Sequence, residues 1–579
     1  MRIVTKRTQR DVQAVTLRGE VIELRDKLNP WADRFKQPGR QQYEPDTGKG
    51  SGDHGGVGEH GMAESDTVPN WGDLGPSRKA RTLHPIGGAE GQRMGVEESE
   101  LVIVLRAWES HVHGEARAQN TASHRTISLT HRGGYEMLPD LTRITRKASA
   151  DPTCRFTALA HHLNEEFLLD TWLRLNRRGS AGIDRQTMQD FDSQRESAIR
   201  DLVDRSRRHA YQAPPVRRVY IPKPGQPAKM RPLGIPTVAD RLMQAAVARI
   251  LSAIYEPDFL ESSYGFRPER SAHDALGAIE SLVFSHPIRW VFEADIRGFF
   301  DHLDHQWLER MLSLRIGDPW ILRLIGKWLR APIDDQGTRT RPAEGAPQGG
   351  PASPILANIY LHYVLDLWFA RVVQPRCHGE AHLVRFADDF VVLFEDARDA
   401  QWFARALPQR LAKFSLKVAE EKTRLLPFGR RVWALTKSQP RTRETFDFLG
   451  FRHVMGTSRK GHFRLVRIPT PKSVRKFYVA TKQWMQANRH APPGLQQQEL
   501  TQRLRGFYQY FGYGTAIPVL TRVRQAIHRA WWQSLRRRSQ RSPRAWTDWA
   551  VKPWFHLPSP RVTQRTGNLR VSVLGSRMR

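Results

Sequence analysis

The most constraining feature of the chain is a short run, Leu383 to Leu393, that sets two adjacent carboxylates between apolar stretches. Leu383-Val384-Arg385-Phe386 and Phe390-Val391-Val392-Leu393 each read as a buried strand, and Ala387-Asp388-Asp389 marks where they meet. The pattern predicts a β-hairpin. Adjacent acids at a turn are ordinarily solvated, and spacing alone leaves that reading open. Wedged between buried strands, however, unpaired charge is expensive. About 90 residues upstream, Trp290-Val291-Phe292-Glu293-Ala294-Asp295 reads as a second buried strand that ends in an acid, and Ile296 to Asp301 turns away from it. A divalent cation held by Asp295, Asp388 and Asp389 would compensate the charge. Oxygen ligands without His or Cys fit Mg²⁺ rather than zinc. Two such ions can stabilise the attacking and leaving oxygens of an in-line phosphoryl transfer.

Charge narrows the class of partner. The 579 residues include 91 Lys and Arg against 59 Asp and Glu, a formal net charge of +32. That excess works against a compact fold unless a polyanion neutralises it. It is also unevenly placed. From Gly461 to Arg579 there are 23 Lys and Arg against two acids, Glu499 and Asp548. Aromatic residues run through that segment, including Phe477, Trp484, Phe507, Tyr508, Tyr510, Phe511, Trp531 and Trp532. Bases of this density would follow phosphates, while the aromatics either stack on nucleobases or build a core. Residues 41–100 are the reverse: 11 acids, 5 bases and 13 of the 42 glycines. Such a stretch buries too little to offset its ordering entropy and is expected to be a disordered linker. Short helices are expected on either side, over Val12–Leu28 and Leu101–Trp108. Two cysteines, Cys154 and Cys377, exclude a disulfide scaffold and a Cys-rich zinc module. With no apolar run of about 20 residues and no signal core at the start, no membrane role is expected. A soluble, cytoplasmic, nucleic-acid-binding protein is the expectation.

Further segments belong to the same chemistry. Tyr220-Ile221-Pro222-Lys223-Pro224 and Lys229-Met230-Arg231-Pro232-Leu233-Gly234-Ile235-Pro236 put cations on a proline-stiffened strand pair that could grip a triphosphate. An ordinary basic hairpin would read the same way. Ala346-Pro347-Gln348-Gly349-Gly350-Pro351-Ala352-Ser353-Pro354 is a Gly/Pro turn entering a helical pattern over 355–368. Such an entry can aim backbone N–H groups at an anion.

Together and in this order, the segments resemble the reverse transcriptase/maturase proteins encoded by bacterial group II introns. The matching stretches are Ile221 to Pro236, Ser263-Tyr264-Gly265-Phe266-Arg267-Pro268, Ala294 to Asp301, Pro347 to Pro354, Phe386 to Asp389, Glu421-Lys422-Thr423 and Phe448-Leu449-Gly450-Phe451. Gly182-Ile183-Asp184 resembles the family's entry to the fingers, and Leu504 to Tyr510 part of its thumb. The resemblance implies an α+β right-hand polymerase. Fingers and a palm with an antiparallel sheet would occupy 131–455 and a basic helical thumb/maturase domain 456–579, after an N-terminal extension over 1–130. It implies that Asp295, Asp388 and Asp389 are catalytic and hold two Mg²⁺ ions. It implies that Lys223 and Arg231 meet the incoming triphosphate, that Gln348 lines the nucleotide pocket, and that Phe300 packs against the sugar. Lys422 would help neutralise pyrophosphate, and Phe448, Leu449, Gly450 and Phe451 would form a primer grip.

The implied activity is RNA-directed DNA polymerisation from dNTPs onto a DNA primer along an RNA template. Binding of intron RNA to assist its splicing and mobility would accompany it, in a bacterial cytoplasm close to nucleoid and RNA. Two departures stand out. Phe386 replaces the Tyr common beside the paired acids, and the tail lacks the Cys pairs of the His-Asn-His endonuclease that many relatives carry. Second-strand DNA cleavage is therefore not expected of this chain. Competing readings are an RNA-binding maturase without polymerase activity, a domesticated reverse transcriptase in phage defence or repair, and an RNA-directed RNA polymerase. Bulky Phe300 argues against the last, because a ribose 2′-hydroxyl would need its space.

Overall fold

The computed structural model of the protein describes residues 141–223, 226–439, 443–539 and 545–564. The expected linker over 41–100 and its flanking helices lie outside the described residues. Helices α1 (Leu141–Ala150), α2 (Glu165–Arg174), α3 (Met188–Ser193) and α4 (Arg195–Arg207) lead into strands β1 (Val216–Lys223) and β2 (Gln226–Ile235). Next come α5 (Val238–Tyr255), α6 (Ala272–Ser285), β3 (Trp290–Asp295), α7 (His305–Ser313), α8 (Pro319–Leu329), β4 (Ile333–Asp335), β5 (Thr338–Thr340) and α9 (Ser353–Leu361). The central part closes with β6 (Ala381–Phe386), β7 (Asp389–Phe394), α10 (Ala397–Ala412), β8 (Arg424–Pro427) and α11 (Arg430–Leu435). Strands β9 (Thr445–Phe448), β10 (Phe451–Thr457) and β11 (Phe463–Pro469) then precede α12 (Pro471–Ala487), α13 (Pro493–Phe511), α14 (Ile517–Arg536) and α15 (Thr547–Ala550).

The predicted hairpin forms. β6 and β7 pair antiparallel from Ala381↔Phe394 to Phe386↔Asp389, and β3 lies on the other side of β7. The four-stranded sheet runs β6-β7-β3-β8, antiparallel throughout. The apolar run in β7 is explained by its central place, since Phe390 to Phe394 are all buried. Helix α10 covers the sheet through Phe403, whose ring lies 5.3 Å from Phe292 and 5.5 Å from Phe394. Each side chain fully buried here contributes roughly 1.5–3 kcal/mol. Helix α5, capped by the Thr237 hydroxyl accepting from the Asp240 N–H, buries most of its length. Among the described residues, no helix is long and apolar enough to cross a membrane.

A second four-stranded sheet and a three-stranded one accompany this one. The cationic segments around Lys223 and Arg231 form a hairpin, with Ile221 opposite Arg231, and β4 and β5 extend it in the order β2-β1-β4-β5. The contact between β1 and β4 is parallel. The third sheet, β11-β10-β9, runs across residue 455, because β10 pairs with β9 on one side and β11 on the other. Of the C-terminal aromatics, Phe507, Tyr508, Phe511 and Trp531 are core, whereas Phe477, Trp484, Tyr510 and Trp532 are half-buried. Leu504, Phe507, Tyr508 and Phe511 recur at helical spacing and are buried on one face of α13. Phe507 stacks on Phe477 at 4.3 Å, and Trp531 is fully buried. The bases Lys472, Arg475, Arg505, Arg522, Arg529 and Arg536 stay exposed on the same helices.

Candidate active site

The three acids converge at one end of the central sheet. Asp295 ends β3 and sits directly opposite Asp389, the first residue of β7, in the antiparallel register. Asp388 is in the hairpin turn beside them. Directly opposed side chains on paired strands lie only about 4.5–5.5 Å apart at Cβ, so like charges there repel. The electrostatics follow. Burial raises the Asp389 carboxyl well above the usual range, and the charges of Asp295, Asp388 and Glu293 push it further. Burial, then Asp295, also raises Asp388, against the opposing pull of Arg231 and Lys422.

Counter-charge comes from two directions. The Lys422 ammonium donates to the Asp295 carboxylate. Burial works against that charge, yet the Asp295 bond and the nearby Glu421 and Asp389 outweigh it and raise the Lys422 pKa. Lys422 is placed by the short helical turn Glu420–Lys422, which the Ala419 N–H anchors to the Asp295 carbonyl at 2.8 Å. Arg231, exposed on β2, also acts on Asp388. Lys223 closes β1, and its side chain lies outside the described residues.

The turn that carries Asp388 is held from below. Ala387 sits at φ 57°, a left-handed conformation that costs a non-glycine residue roughly 1–3 kcal/mol. Arg385, wholly buried, offsets that cost by donating to the Ala387 carbonyl at 3.0 Å. Its fork also takes both oxygens of the equally buried Asp366, at 2.7 and 2.5 Å. Ser263 at 2.7 Å and Asn358 at 3.1 Å accept the remaining N–H groups. Asn358 in turn donates to the Gly265 carbonyl at 2.7 Å. Gly265 must be glycine, because a Cβ there would come within 2.4 Å of the Ala387 nitrogen. These supporting residues escape a reading of the sequence for chemistry, although Ser263 and Gly265 stand in a segment that the family resemblance marks.

The segment Phe448 to Phe451 reaches the same carboxylates. Leu449 and Gly450, at φ 50° and 77°, form the two-residue turn between β9 and β10, as a hairpin with both central residues at positive φ requires. The Leu449 backbone lies close enough to oppose the rise of the Asp389 carboxyl pKa. Its carbonyl accepts from the Tyr510 hydroxyl at 3.0 Å. Phe448 and Phe451 are buried beneath the turn. Tyr510→Phe should therefore cost about 1 kcal/mol through the lost hydrogen bond, read as a lower thermal midpoint. Its ring should keep its packing 5.4 Å from Phe451.

Phe300 lies in the turn after β3, and Gln348 in the loop before α9. Phe299 is buried at 2% exposure and packs toward Tyr360, whereas Phe300 is half-buried. The Gln348 amide donates to Asp301 at 3.3 Å, and its carbonyl accepts from the Gly234 N–H at 2.7 Å. The loop before α9 thus bridges the end of β2 and the turn after β3. All-oxygen donors, raised carboxyl pKa values and an ammonium already drawn onto Asp295 together fit a divalent cation.

An antiparallel sheet, covered by helices, that brings three carboxylates to one end has the architecture of a polymerase palm. Residues 221–453 match the family described as reverse transcriptase (RNA-dependent DNA polymerase). Protein YkfC of Escherichia coli is 30% identical over 364 residues, covering 57% of this chain and 91% of that protein. The chain belongs to the reverse transcriptase/maturase family of group II intron-encoded proteins. The group II intron-encoded protein LtrA of Lactococcus lactis is 44% identical over 176 residues, 30% of this chain and 29% of LtrA. An uncharacterised 91 kDa protein in the cob intron of Schizosaccharomyces pombe is 41% identical over 148 residues, 26% of this chain and 18% of that protein. The matched stretches therefore span less than a third of these intron-associated relatives' own length.

Proposed function

We propose that the protein is an RNA-directed DNA polymerase that also binds its own intron RNA and assists splicing and mobility. The observation that carries the reading is the cross-strand placement of Asp295 against Asp389, with Asp388 in the adjoining turn. Asp295, Asp388 and Asp389 would hold two Mg²⁺ ions, which when bound stabilise the attacking and leaving oxygens of phosphoryl transfer. The chain's own residues do the rest. Arg231 and Lys223 take the triphosphate of a dNTP, and Lys422 shifts from Asp295 toward the departing pyrophosphate. The turn at Leu449 and Gly450 positions the primer end against Asp389. Helices α12 to α14 act as the thumb, their exposed bases following the RNA template and intron RNA through phosphate contacts.

Extension of a DNA primer on an RNA template by the purified chain, dependent on Mg²⁺ and dNTPs, tests the polymerase. Accelerated splicing of the RNA flanking its gene tests the maturase. Product from neither would refute the proposal.

Phe300 would set sugar choice. Half-buried next to a fully packed Phe299, it has the free face from which a phenyl ring can exclude a 2′-hydroxyl and leave it without a partner. An unsatisfied polar group costs roughly 1–3 kcal/mol. Phe300→Ala and Phe300→Val should raise rNTP over dNTP incorporation about tenfold, equivalent to about 1.4 kcal/mol. Phe299→Ala should chiefly lower stability. An unchanged ratio in both active Phe300 variants would remove the residue from the pocket.

A further inference from the structure

At the opposite end of β6 from the carboxylates, His286, Glu380 and His382 bring three ligand atoms within 4.8 Å of one another. His286 follows the last turn of α6, Glu380 lies in the loop before β6, and His382 is the second residue of β6. Both imidazoles meet a single carboxylate oxygen, Glu380 Oε2, through His286 Nδ1 at 2.5 Å and His382 Nε2 at 3.1 Å. Their rings are 4.6 Å apart at 60°. We propose that this trio is a binding site for a single first-row divalent transition ion, zinc in the first instance.

The donor set carries the choice of metal. Two neutral imidazoles with one carboxylate suit zinc and its neighbours, while Mg²⁺ prefers oxygen alone. Zinc bonds of about 2.0–2.2 Å in a tetrahedron place ligand atoms roughly 3.3 Å apart. The carboxylate oxygen stands 2.5 and 3.1 Å from the two nitrogens and all three ligand atoms lie within 4.8 Å, so side-chain rotations that open the carboxylate and draw the rings together reach that spacing.

The supports are firm. His286 donates its backbone N–H to Leu282 at 3.0 Å, holding it to the helix end. The Glu380 carbonyl accepts from the Glu395 N–H at 2.9 Å, and the Asp399 carboxylate pins the backbone of His378 and Gly379 at 2.8 and 3.0 Å. His382 is held in the β6–β7 ladder opposite Leu393. The partial exposure of all three leaves the fourth position to water and gives the ion an entry path. Bound there, the ion clamps the end of α6 to β6, the outer strand of the central sheet.

The full chain, dialysed against Zn²⁺ in saturating Mg²⁺, tests the site, because Mg²⁺ keeps the carboxylate cluster at Asp388 occupied. The wild type should retain one zinc more than His286→Ala/His382→Ala, and zinc should raise its thermal midpoint but not that of the variant. Co²⁺ in place of zinc should give a visible absorption band that Glu380→Gln shifts and His382→Gln removes, while primer extension in Mg²⁺ stays unchanged in every variant. Equal zinc content in wild type and double variant, or a zinc-induced shift of the midpoint that survives in the variant, would overturn the proposal and leave a surface hydrogen-bonded trio.

Discussion

Replacing Asp389 with Asn is expected to lower primer extension on an RNA template by roughly 10²–10³-fold while raising the thermal midpoint of the metal-free protein. The two effects have one cause. Burial, then Asp295, Asp388 and Glu293, raise the Asp389 carboxyl well above its usual range. The folded state therefore binds that proton more tightly than the unfolded chain, whose carboxyl titrates near about 3.9. Stability falls as pH rises from there to the folded pKa and stays reduced above it. Asn keeps the shape and removes the charge, so the penalty disappears at neutral pH. Mg²⁺ should stabilise the wild type more than the variant and narrow the gap between them. Activity moves the other way, since an anionic ligand for the ions is gone. Asp388→Asn added to Asp389→Asn should take extension to background, with RNA affinity nearly intact because few phosphate contacts change. Wild-type extension by the double variant would refute the site, and a lowered midpoint in Asp389→Asn without metal would refute the repulsion.

Arg385→Met is expected to cost about 3–5 kcal/mol, because it strands Asp366, a carboxylate with no solvent access, without a partner. It also orphans the Ala387 carbonyl and the Ser263 hydroxyl, the groups that fix the turn. Arg385→Lys should recover little, since an ammonium cannot span both Asp366 oxygens and still reach Ser263, Asn358 and Ala387. Asp366→Leu combined with Arg385→Met should regain much of the stability, as apolar replacements of buried pairs often do. Its primer extension should stay low, because Ala387 is still unsupported. Thermal melts and extension assays on the same four proteins separate the two consequences. A single Arg385→Met variant within about 1 kcal/mol of wild type would show that the pair contributes little.

The parts of the fold readable in the sequence are those governed by short-range pattern. The apolar runs around Asp388 and Asp389, with acids at the bend, predict the β6–β7 hairpin, and the run ending at Asp295 predicts β3. Proline and basic residues around Lys223 and Arg231 predict the β1–β2 pair. What stays hidden depends on contacts far apart in the chain. Arg385 within an apolar strand looks like a solvent-facing interruption. Only the return of Asp366, 19 residues earlier, makes it a buried fork. The three-residue strands β4 and β5 carry no periodicity long enough to register, and β4 joins β1 across more than a hundred residues. The aromatics of 477–532 carry two meanings in sequence. Burial puts Phe507, Phe511 and Trp531 in the core and leaves the bases of the same helices exposed. The approach of Leu449 to Asp389 likewise needs the β11-β10-β9 sheet to fold back onto the central one.

The rigidity beneath Ala387 has a consequence for how variants of this protein will behave in a population. The turn has no spare room at Gly265 and no spare hydrogen-bonding capacity at Arg385, so damage there propagates to Asp388 without touching any ligand atom. Inactive alleles should accumulate at Gly265, Arg385 and Asp366 as densely as at the acids themselves. The two groups part in the cell by abundance: alleles of the acids persist as full-length inert protein, while alleles of the supports are cleared by proteolysis.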